Sequence, residues 1–145
     1  MRALVQRVSR GAVRVDNDLV GSIGPGLCVF VGVTHTDTVE LASKLATKLF
    51  HLRVIDDDAG VMNRSISETG GQVLVVSQFT LYGDTSKGRR PSWIAAARPE
   101  YAEPIVAAVV EALVKLGAQV QTGRFRAVMD VELVNDGPTT VWIEL

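Results

Sequence analysis

The sequence predicts one α+β domain, residues 1–145, in which a curled, barrel-like, mainly antiparallel sheet packs against two principal helices. Three observations support this fold class. Runs rich in β-branched residues recur along the chain, only two segments show helical periodicity, and no linker or repeat separates them. With 145 residues, 47% of them hydrophobic, the chain is long enough for a substantial core and too short for a second domain.

The N-terminal part of the sequence predicts a hairpin followed by a buried strand. Residues 5–15 and 19–23 are the hairpin strands, because both are rich in β-branched residues and an Asp-Asn-Asp turn joins them. Gly24-Pro25-Gly26 ends this unit. The continuous apolar run 27–33 is typical of a strand that is buried on both faces, so we expect it in the core.

The middle of the chain predicts a helix between strands. Apolar residues recur at helical spacing over residues 38–51, and Asp37 followed by Glu40 resembles a capping box at the start of this helix. A short strand is expected at 52–55, then an aspartate-rich turn, and a second strong strand over 72–81.

The C-terminal half predicts a second helix and three more strands. Pro104 suits a first helical turn, and the apolar periodicity that follows it ends at Gly117. The strands expected after this helix are 119–122, 127–134 and 139–145.

Composition excludes several classes of function. The net charge of −1 argues against a broad basic face that coats nucleic acid, so no DNA partner is expected. No apolar stretch is long enough for a signal peptide or a membrane span, so we expect a cytoplasmic protein with no membrane partner. The single cysteine, Cys28, lies in an apolar run and is expected to be a buried, inert thiol.

The usual motifs of metal and nucleotide sites are absent. With two histidines, His35 and His51, and neither HExxH nor CxxC, a transition-metal site would lack ligands, and we expect no metal. No glycine-rich phosphate-binding motif is present either, so no cofactor is expected. His51 falls at the end of the first predicted helix, where a structural role is expected.

A polar segment that follows a buried strand is the first candidate for a catalytic site. Ser77, Gln78, Phe79 and Thr80 follow the apolar run 73–76 directly. Backbone N–H groups around Gln78 and Phe79 are candidates for stabilising an oxyanion, an effect of roughly 3–4 kcal/mol per donor. The two hydroxyls would need a nearby base to act as nucleophiles, and the sequence offers none. The structural alternative is an ordinary strand end.

A second candidate is the tip formed by Gly137 and Pro138. Gly137 has no Cβ and Pro138 has no N–H and a fixed φ, so the pair presents carbonyl oxygens on a stiff backbone with few side-chain atoms. The structural alternative is a turn, because Asn-Asp-Gly-Pro is common turn chemistry.

Together these segments resemble the D-aminoacyl-tRNA deacylases of the bacterial and eukaryotic type, over the whole chain. The shared motifs are Gln6-Arg7-Val8, Gly70-Gly71, residues 73–81, residues 122–125 and residues 133–138. Tyr82-Gly83 departs from the small residues that are usual after Leu81 in this family. The resemblance implies an ester hydrolase that removes D-amino acids, and misplaced glycine, from tRNA. It also implies that the partner is the 3′ acceptor end of aminoacyl-tRNA.

The resemblance further implies a homodimer with each active site at the interface. The Gly137-Pro138 tip of one subunit, with a cis peptide bond, would enter the pocket of the other and exclude L side chains by backbone contact. Exclusion suits the physics, because attractive pockets separate similar side chains by only about 1–3 kcal/mol. Arg7 would hold the tip; the alternative is an exposed strand charge.

The remaining roles are implied in the same way. The 2′-hydroxyl of the terminal adenosine would assist hydrolysis, Gln78 and Phe79 would bind the ester carbonyl, and Ser77 and Thr80 would position the substrate. The resemblance implies that Phe125 and Met129 contact the adenine; the alternative is that they are core residues. It also implies that Lys87, Arg89 and Arg90 contact phosphates; the alternative is a solvated loop.

Two rival hypotheses remain open from the sequence. One is a covalent hydrolase that uses Thr80 as its nucleophile. The other is a non-catalytic RNA-binding or dimeric interaction module, in which the tip only locks two subunits together.

Overall fold

The computed structural model describes residues 1–145 as a nearly closed, barrel-like sheet that carries its helices on one side. The strands are β1 (Arg2–Val15), β2 (Asp18–Ile23), β3 (Gly26–Gly32), β4 (Ile55–Asp56), β5 (Met62–Arg64), β6 (Gln72–Ser77), β7 (Val120–Thr122) and β8 (Asp130–Glu144). The helices are α1 (Val39–Phe50), α2 (Ile66–Thr69) and α3 (Pro99–Lys115), and a single 3-10 helix spans Phe79–Tyr82. None of the helices is long and apolar enough to cross a membrane.

The long strand β1 organises the sheet. Its first half pairs with β3, its second half pairs with β2, and β8 runs along its other edge, all antiparallel. Strand β6 is parallel to both of its neighbours, β3 and β7. The sheet curls back on itself, so that its two end strands, β2 and β7, approach closely. A Cβ placed at Gly21 in β2 would lie only 2.5 Å from the carbonyl oxygen of Thr122 in β7. The mixed α+β, barrel-like architecture expected from the sequence is therefore confirmed.

The two long helices cover one face of the sheet and form the larger of two hydrophobic clusters with it, and the smaller cluster lies on the other face. Val73 and Val75 of β6 face α1 and α3 in the larger cluster, whereas Leu74 and Val76 face the opposite side of the sheet. This alternation follows from the two-residue period of a strand. Cys28 lies in the smaller cluster and is fully buried, as expected.

The predicted capping box at the start of α1 is wrong. The N-cap is Thr38, whose side chain accepts a hydrogen bond from the Leu41 N–H. Asp37 is buried and its carboxylate binds the N-terminal amino group at 2.7 Å. A carboxylate engaged in this long-range ion pair is not available to cap the helix.

Several boundaries also differ from the sequence prediction. Helix α3 begins at Pro99, five residues before the predicted Pro104, which is accommodated inside the helix. The strand predicted at 52–55 is confined to β4 and pairs with β5, and the four-residue helix α2 was not predicted. The two last predicted strands form the single strand β8, because a bulge rather than a chain reversal separates them.

Candidate active site

The buried strand β6 ends at Ser77, where the chain turns sharply into the 3-10 helix. The strand predicted to continue to residue 81 is therefore too long. The turn is possible because Gly32 of β3 lies beneath it: a Cβ at Gly32 would meet Leu81 Cβ at 3.0 Å and the Gln78 carbonyl oxygen at 3.1 Å. Gly32 of β3 thus allows the chain to turn where β6 ends, and the polar segment lies at the carboxyl ends of these two parallel strands.

The backbone N–H of Gln78 is engaged in the sheet. It donates to the carbonyl oxygen of Val31 at 2.7 Å, which extends the parallel pairing of β3 and β6 by one residue. Phe79 is the first residue of the 3-10 helix, so its N–H has no acceptor within that helix. The sequence suggested both N–H groups as donors to an oxyanion. The N–H of Phe79 remains a candidate, whereas that of Gln78 is already bonded to β3.

A cavity of about 600 Å³ opens beside this turn. Its lining includes Ser77, Gln78, Phe79, Phe125 and Met129. A Cβ at Gly123 would lie 2.6 Å from the Met129 sulfur, so the glycine leaves room for this side chain. The structure therefore brings together five of the residues that the sequence suggested. The lining that the sequence analysis missed includes Trp93, Ala96, Ala97, Pro99 and Ala102.

Two partly exposed aromatic rings stand at this cavity. Phe79 is 56% exposed and Trp93 is 41% exposed, and their rings meet edge to face with centroids 5.4 Å apart. Gly83 makes this contact possible, because a Cβ there would lie 2.6 Å from Trp93 Cζ3. The sequence signal that could have identified Trp93 as a site residue is a tryptophan directly after a polar, basic loop.

Neither hydroxyl near the cavity has a general base bound to it. Thr80 Oγ1 accepts a hydrogen bond from the Gln78 side-chain amide. No histidine or carboxylate is hydrogen-bonded to Ser77 or Thr80, and no cluster of three His, Cys, Asp or Glu side chains is arranged to hold a metal ion. The chain thus presents a pocket and the backbone N–H of Phe79 without a nucleophile–base pair.

Arg2 holds the 3-10 helix from the start of β1. Its Nη1 donates to the Leu81 carbonyl oxygen at 3.0 Å, its guanidinium lies 4.4 Å from the Tyr82 ring centroid, and its Nε pairs with Glu144 at 2.8 Å. Burial, with a smaller contribution from the Asp37 carboxylate, raises the pKa of Tyr82 to about 12, so its phenol is neutral at neutral pH. The sequence analysis did not identify Arg2.

The Gly137-Pro138 tip is a bulge of β8. Gln6 pairs with Thr140 and Val8 with Asn135, so Arg7 alone faces the four residues 136–139. The Gly137-Pro138 peptide bond is cis, and both residues are exposed. The side chain of Asn135 donates to the carbonyl oxygens of Arg7 and Thr139, at 2.9 and 3.1 Å, and so closes the base of the bulge.

Arg7 supports the tip from below. It is only 8% exposed, and its Nε lies 3.0 Å from Asp136 Oδ2 and 3.2 Å from the Asp136 carbonyl oxygen. Its Nη1 donates to Val54 O at 2.8 Å and to Asp56 Oδ1 at 3.0 Å. Arg7 is therefore a buried, multiply bonded group and not the exposed strand charge that the sequence left open.

The tip and the cavity lie at opposite ends of β6 in one chain. Arg7 and Asp136 line a hollow together with Gln72, the first residue of β6, whereas Ser77 at its last residue lines the cavity. The six residues of β6 span about 16 Å from one end to the other. One copy of the chain does not bring the tip to the cavity.

The basic loop is close to the cavity in sequence and open to solvent. Lys87, Arg89 and Arg90 are exposed and make no ion pair within the chain. Backbone hydrogen bonds between Asp84 and Ser92 close the loop immediately before Trp93. The three cations are thus presented on the loop that leads to the cavity wall.

Comparison with known proteins assigns the family. The profile of the family described as D-Tyr-tRNA(Tyr) deacylase matches residues 4–144. The chain belongs to the D-Tyr-tRNA(Tyr) deacylase family. Members of this family are hydrolases of an aminoacyl ester, so the cavity beside the Phe79 N–H is a candidate active site of a deacylase.

Curated relatives of this deacylase family match the chain over nearly all of its length. A protein of Geobacillus sp. (strain WCH70) named D-aminoacyl-tRNA deacylase is 53% identical over 99% of this chain and 95% of its own length. One of Mycobacterium ulcerans (strain Agy99), with the same name, is 57% identical over the full length of both.

Two solved structures share the deacylase fold. One, described as c-Myc DNA Unwinding Element Binding Protein, is 35% identical, with a TM-score of 0.94 over 100% of this chain and 99% of the other. A probable eukaryotic D-amino acid tRNA deacylase is 17% identical, with a TM-score of 0.85 over 99% and 98% of the chains, and shows the likeness of fold alone.

Proposed function

We propose that this protein hydrolyses the ester bond of D-aminoacyl-tRNA to free D-amino acid and tRNA, and that it also removes misplaced glycine. The observation that carries the proposal is the cavity at the end of β6, where the Phe79 N–H and an aromatic pair stand without a catalytic base. Membership of the deacylase family supports the substrate class.

The Phe79 N–H is the donor that we assign to the ester carbonyl. A fixed donor at the start of the 3-10 helix would stabilise the oxyanion as the tetrahedral intermediate forms. Ser77 and Thr80 would position the substrate, since neither has a base within a hydrogen bond. The 2′-hydroxyl of the terminal adenosine would assist a water molecule to attack the ester carbonyl, and the bond to the 3′ oxygen then breaks to give the free amino acid and tRNA. Phe125 and Met129, which line the same cavity, would contact the adenine.

Selection of the D enantiomer is assigned to the tip of a second copy of the chain. The tip is exposed, poor in side-chain atoms and fixed by Arg7 and Asn135, which suits a rigid barrier. Because it lies at the opposite end of β6 from its own cavity, it would act in a homodimer by entering the partner's cavity. Its carbonyl oxygens would exclude an L side chain, while a D side chain or glycine would pass.

The basic loop is the proposed phosphate contact near the acceptor end. Lys87, Arg89 and Arg90 are free of ion pairs and precede Trp93 at the cavity. Charges of this kind bind the RNA backbone without reading its sequence.

The direct test is release of tyrosine from D-Tyr-tRNA and from L-Tyr-tRNA by the purified protein. We expect release from the D substrate and little from the L substrate. Equal release from both, or release from neither, contradicts the proposal.

The role of the RNA hydroxyl is tested with D-Tyr-tRNA that ends in 2′-deoxyadenosine. We expect this substrate to be hydrolysed at least 100-fold more slowly, whereas Thr80→Ala should retain most activity on the natural substrate. The opposite pair of results would favour covalent hydrolysis through Thr80.

A further inference from the structure

The outer face of α1 and the segment that follows it form an open, basic groove of about 650 Å³. We call it the α1 groove. Its seven lining residues are Ser43, Lys44, Thr47, Lys48, His51, Leu52 and Arg53. No role for this groove follows from the cavity or the tip.

The α1 groove is positively charged although the chain as a whole is not. The chain has 15 Lys and Arg against 16 Asp and Glu, yet residues 41–55 contain three Lys or Arg and no acidic residue. Two acidic groups act on these cations, Glu40, one turn before Lys44, and Glu68, which accepts two hydrogen bonds from Ser65; neither lines the groove.

The polar groups of the α1 groove leave its cations free for a ligand. The hydroxyls of Ser43 and Thr47 donate to backbone carbonyls of the preceding helical turn, and Lys44 and Lys48 make no ion pair within the chain. Arg53 Nε donates to the Asn63 carbonyl oxygen at 2.7 Å, which holds its guanidinium at the end of the groove.

This arrangement fits a run of phosphates. Lys44 and Lys48 are four residues apart on one helix face, which places them about 6 Å apart along the axis. A row of cations in a shallow groove with a single hydrophobic lining residue offers charge, and no apolar pocket for a base. The charge complement of such a row is a nucleic-acid backbone.

The position of the α1 groove connects it to the tip. Arg53 directly precedes Val54, whose carbonyl oxygen holds Arg7 beneath the tip. In the dimer that we propose, the tip enters the partner's cavity, and the α1 groove of the same subunit would be carried towards the RNA whose 3′ end occupies that cavity.

We propose that the α1 groove binds the acceptor-stem phosphates of the tRNA whose 3′ end lies in the partner's cavity. This inference rests on the proposed function. Each tRNA would then contact the loop cations of one subunit and the α1 groove of the other, and binding of the stem would be coupled to the presence of the tip.

The test compares two variants that each remove two positive charges. Lys44→Gln with Lys48→Gln alters the α1 groove, and Arg14→Gln with Lys115→Gln is the matched control outside it. Each is assayed with D-Tyr-tRNA and with D-Tyr-adenosine, which lacks the stem, at several salt concentrations.

We expect the groove variant to raise KM for D-Tyr-tRNA about tenfold while kcat, and KM for D-Tyr-adenosine, stay unchanged. The plot of log kcat/KM against log salt should become shallower by about 2, because two phosphate contacts are lost. The control should behave as the wild type. Groove and control variants that behave alike, or a groove effect of equal size on D-Tyr-adenosine, would overturn the proposal.

Direct binding keeps this test separate from the proposed function. If the wild type hydrolyses neither substrate, the proposed function fails, and the affinity for uncharged tRNA still decides whether the α1 groove binds RNA. A tenfold loss of that affinity in the groove variant supports the proposal. Unchanged affinity refutes it and leaves an acidic protein as the partner that the groove fits.

Discussion

At the scale of single residues, a backbone N–H and a buried thiol show how position decides chemistry. The N–H of Gln78 is used by the sheet, whereas that of its neighbour Phe79 begins a 3-10 helix and faces no acceptor in it. Cys28 is a potential nucleophile by residue type, but burial raises its pKa to about 12. In both cases the neighbouring strands decide the result: β3 accepts the Gln78 N–H, and the strands packed around Cys28 bury its thiol.

Replacing Phe79 by proline and by alanine separates the N–H from the ring. Both variants lose the ring, but only proline lacks the N–H, and a proline is tolerated at the first position of a helix. We expect Phe79→Pro to have a kcat about 100-fold below that of Phe79→Ala on D-Tyr-tRNA. Equal kcat values in single-turnover assays, with both proteins folded by circular dichroism, would remove Phe79 as the oxyanion donor.

The raised pKa of Cys28 predicts a loss of stability at high pH. In the unfolded chain the thiol ionises near its usual pKa of 9.0, whereas in the folded chain it stays protonated until about 12. Its contribution is therefore complete below pH 9 and is lost between pH 9 and 12, at up to about 1.4 kcal/mol per pH unit. Urea unfolding at pH 8 and pH 10 measures this fall. Tyr82, whose usual pKa is 10.0, adds to the loss only from about pH 10 upward, so Cys28→Ala should remove most of the fall between pH 8 and pH 10.

At the scale of elements, close backbone approach explains why β3 and β6 pair as they do. Gly26 begins β3 opposite Gln72, the first residue of β6, and a Cβ at Gly26 would lie 1.9 Å from the Gln72 carbonyl oxygen. Gly24, two residues earlier, has only the Gln72 side-chain oxygen nearby, at 3.5 Å. The two glycines look alike in the sequence, and only the paired strand distinguishes them.

These two glycines give a matched prediction for stability. Gly26→Ala forces the backbones of β3 and β6 apart and should lower the free energy of unfolding by about 3 kcal/mol. Gly24→Ala meets no backbone atom and should change it by less than about 0.5 kcal/mol. Chemical denaturation measures both. Similar values for the two variants would contradict the described pairing at the start of β6.

The element boundaries show where the sequence was a good guide. The hairpin of β1 and β2, the buried strand β3 and the helix α1 follow local patterns of alternation or helical spacing, and they lie close to their predicted positions. The parallel pairing of β6, the bulge in β8 and the capping of α1 by Thr38 were not predicted. The first two depend on a strand distant in sequence, and the third follows because the N-terminal amino group binds Asp37 and leaves the cap to Thr38.

At the scale of the whole molecule, the separation of tip and cavity is the feature with the largest consequence. Gln72, near the tip, and Ser77, at the cavity, are the two ends of β6. A complete site as proposed therefore needs two copies of the chain, each contributing one half.

Mixing two inactive variants tests this arrangement. Gly137→Phe spoils the tip, and its side chain starts towards solvent, because Gly137 is exposed and a Cβ there meets only Asn135 Oδ1 at 3.5 Å; circular dichroism checks that the variant is folded. Phe79→Pro spoils the cavity. Each variant alone should be inactive, whereas refolding them together should restore about a quarter of wild-type activity, since half the dimers are mixed and each has one intact site. A mixture as inactive as its components would show that tip and cavity do not act across subunits.

The sequence by itself determined the fold class, most of the strands, the family, and the two segments from which the site is proposed, because these depend on local residue patterns. Only the tertiary structure decided that Phe79 meets Trp93, that Arg2 holds the 3-10 helix, and that the tip lies away from its own cavity. The physical reason is that contacts between residues far apart in sequence depend on strand order, register and packing. Local propensity and periodicity do not encode these.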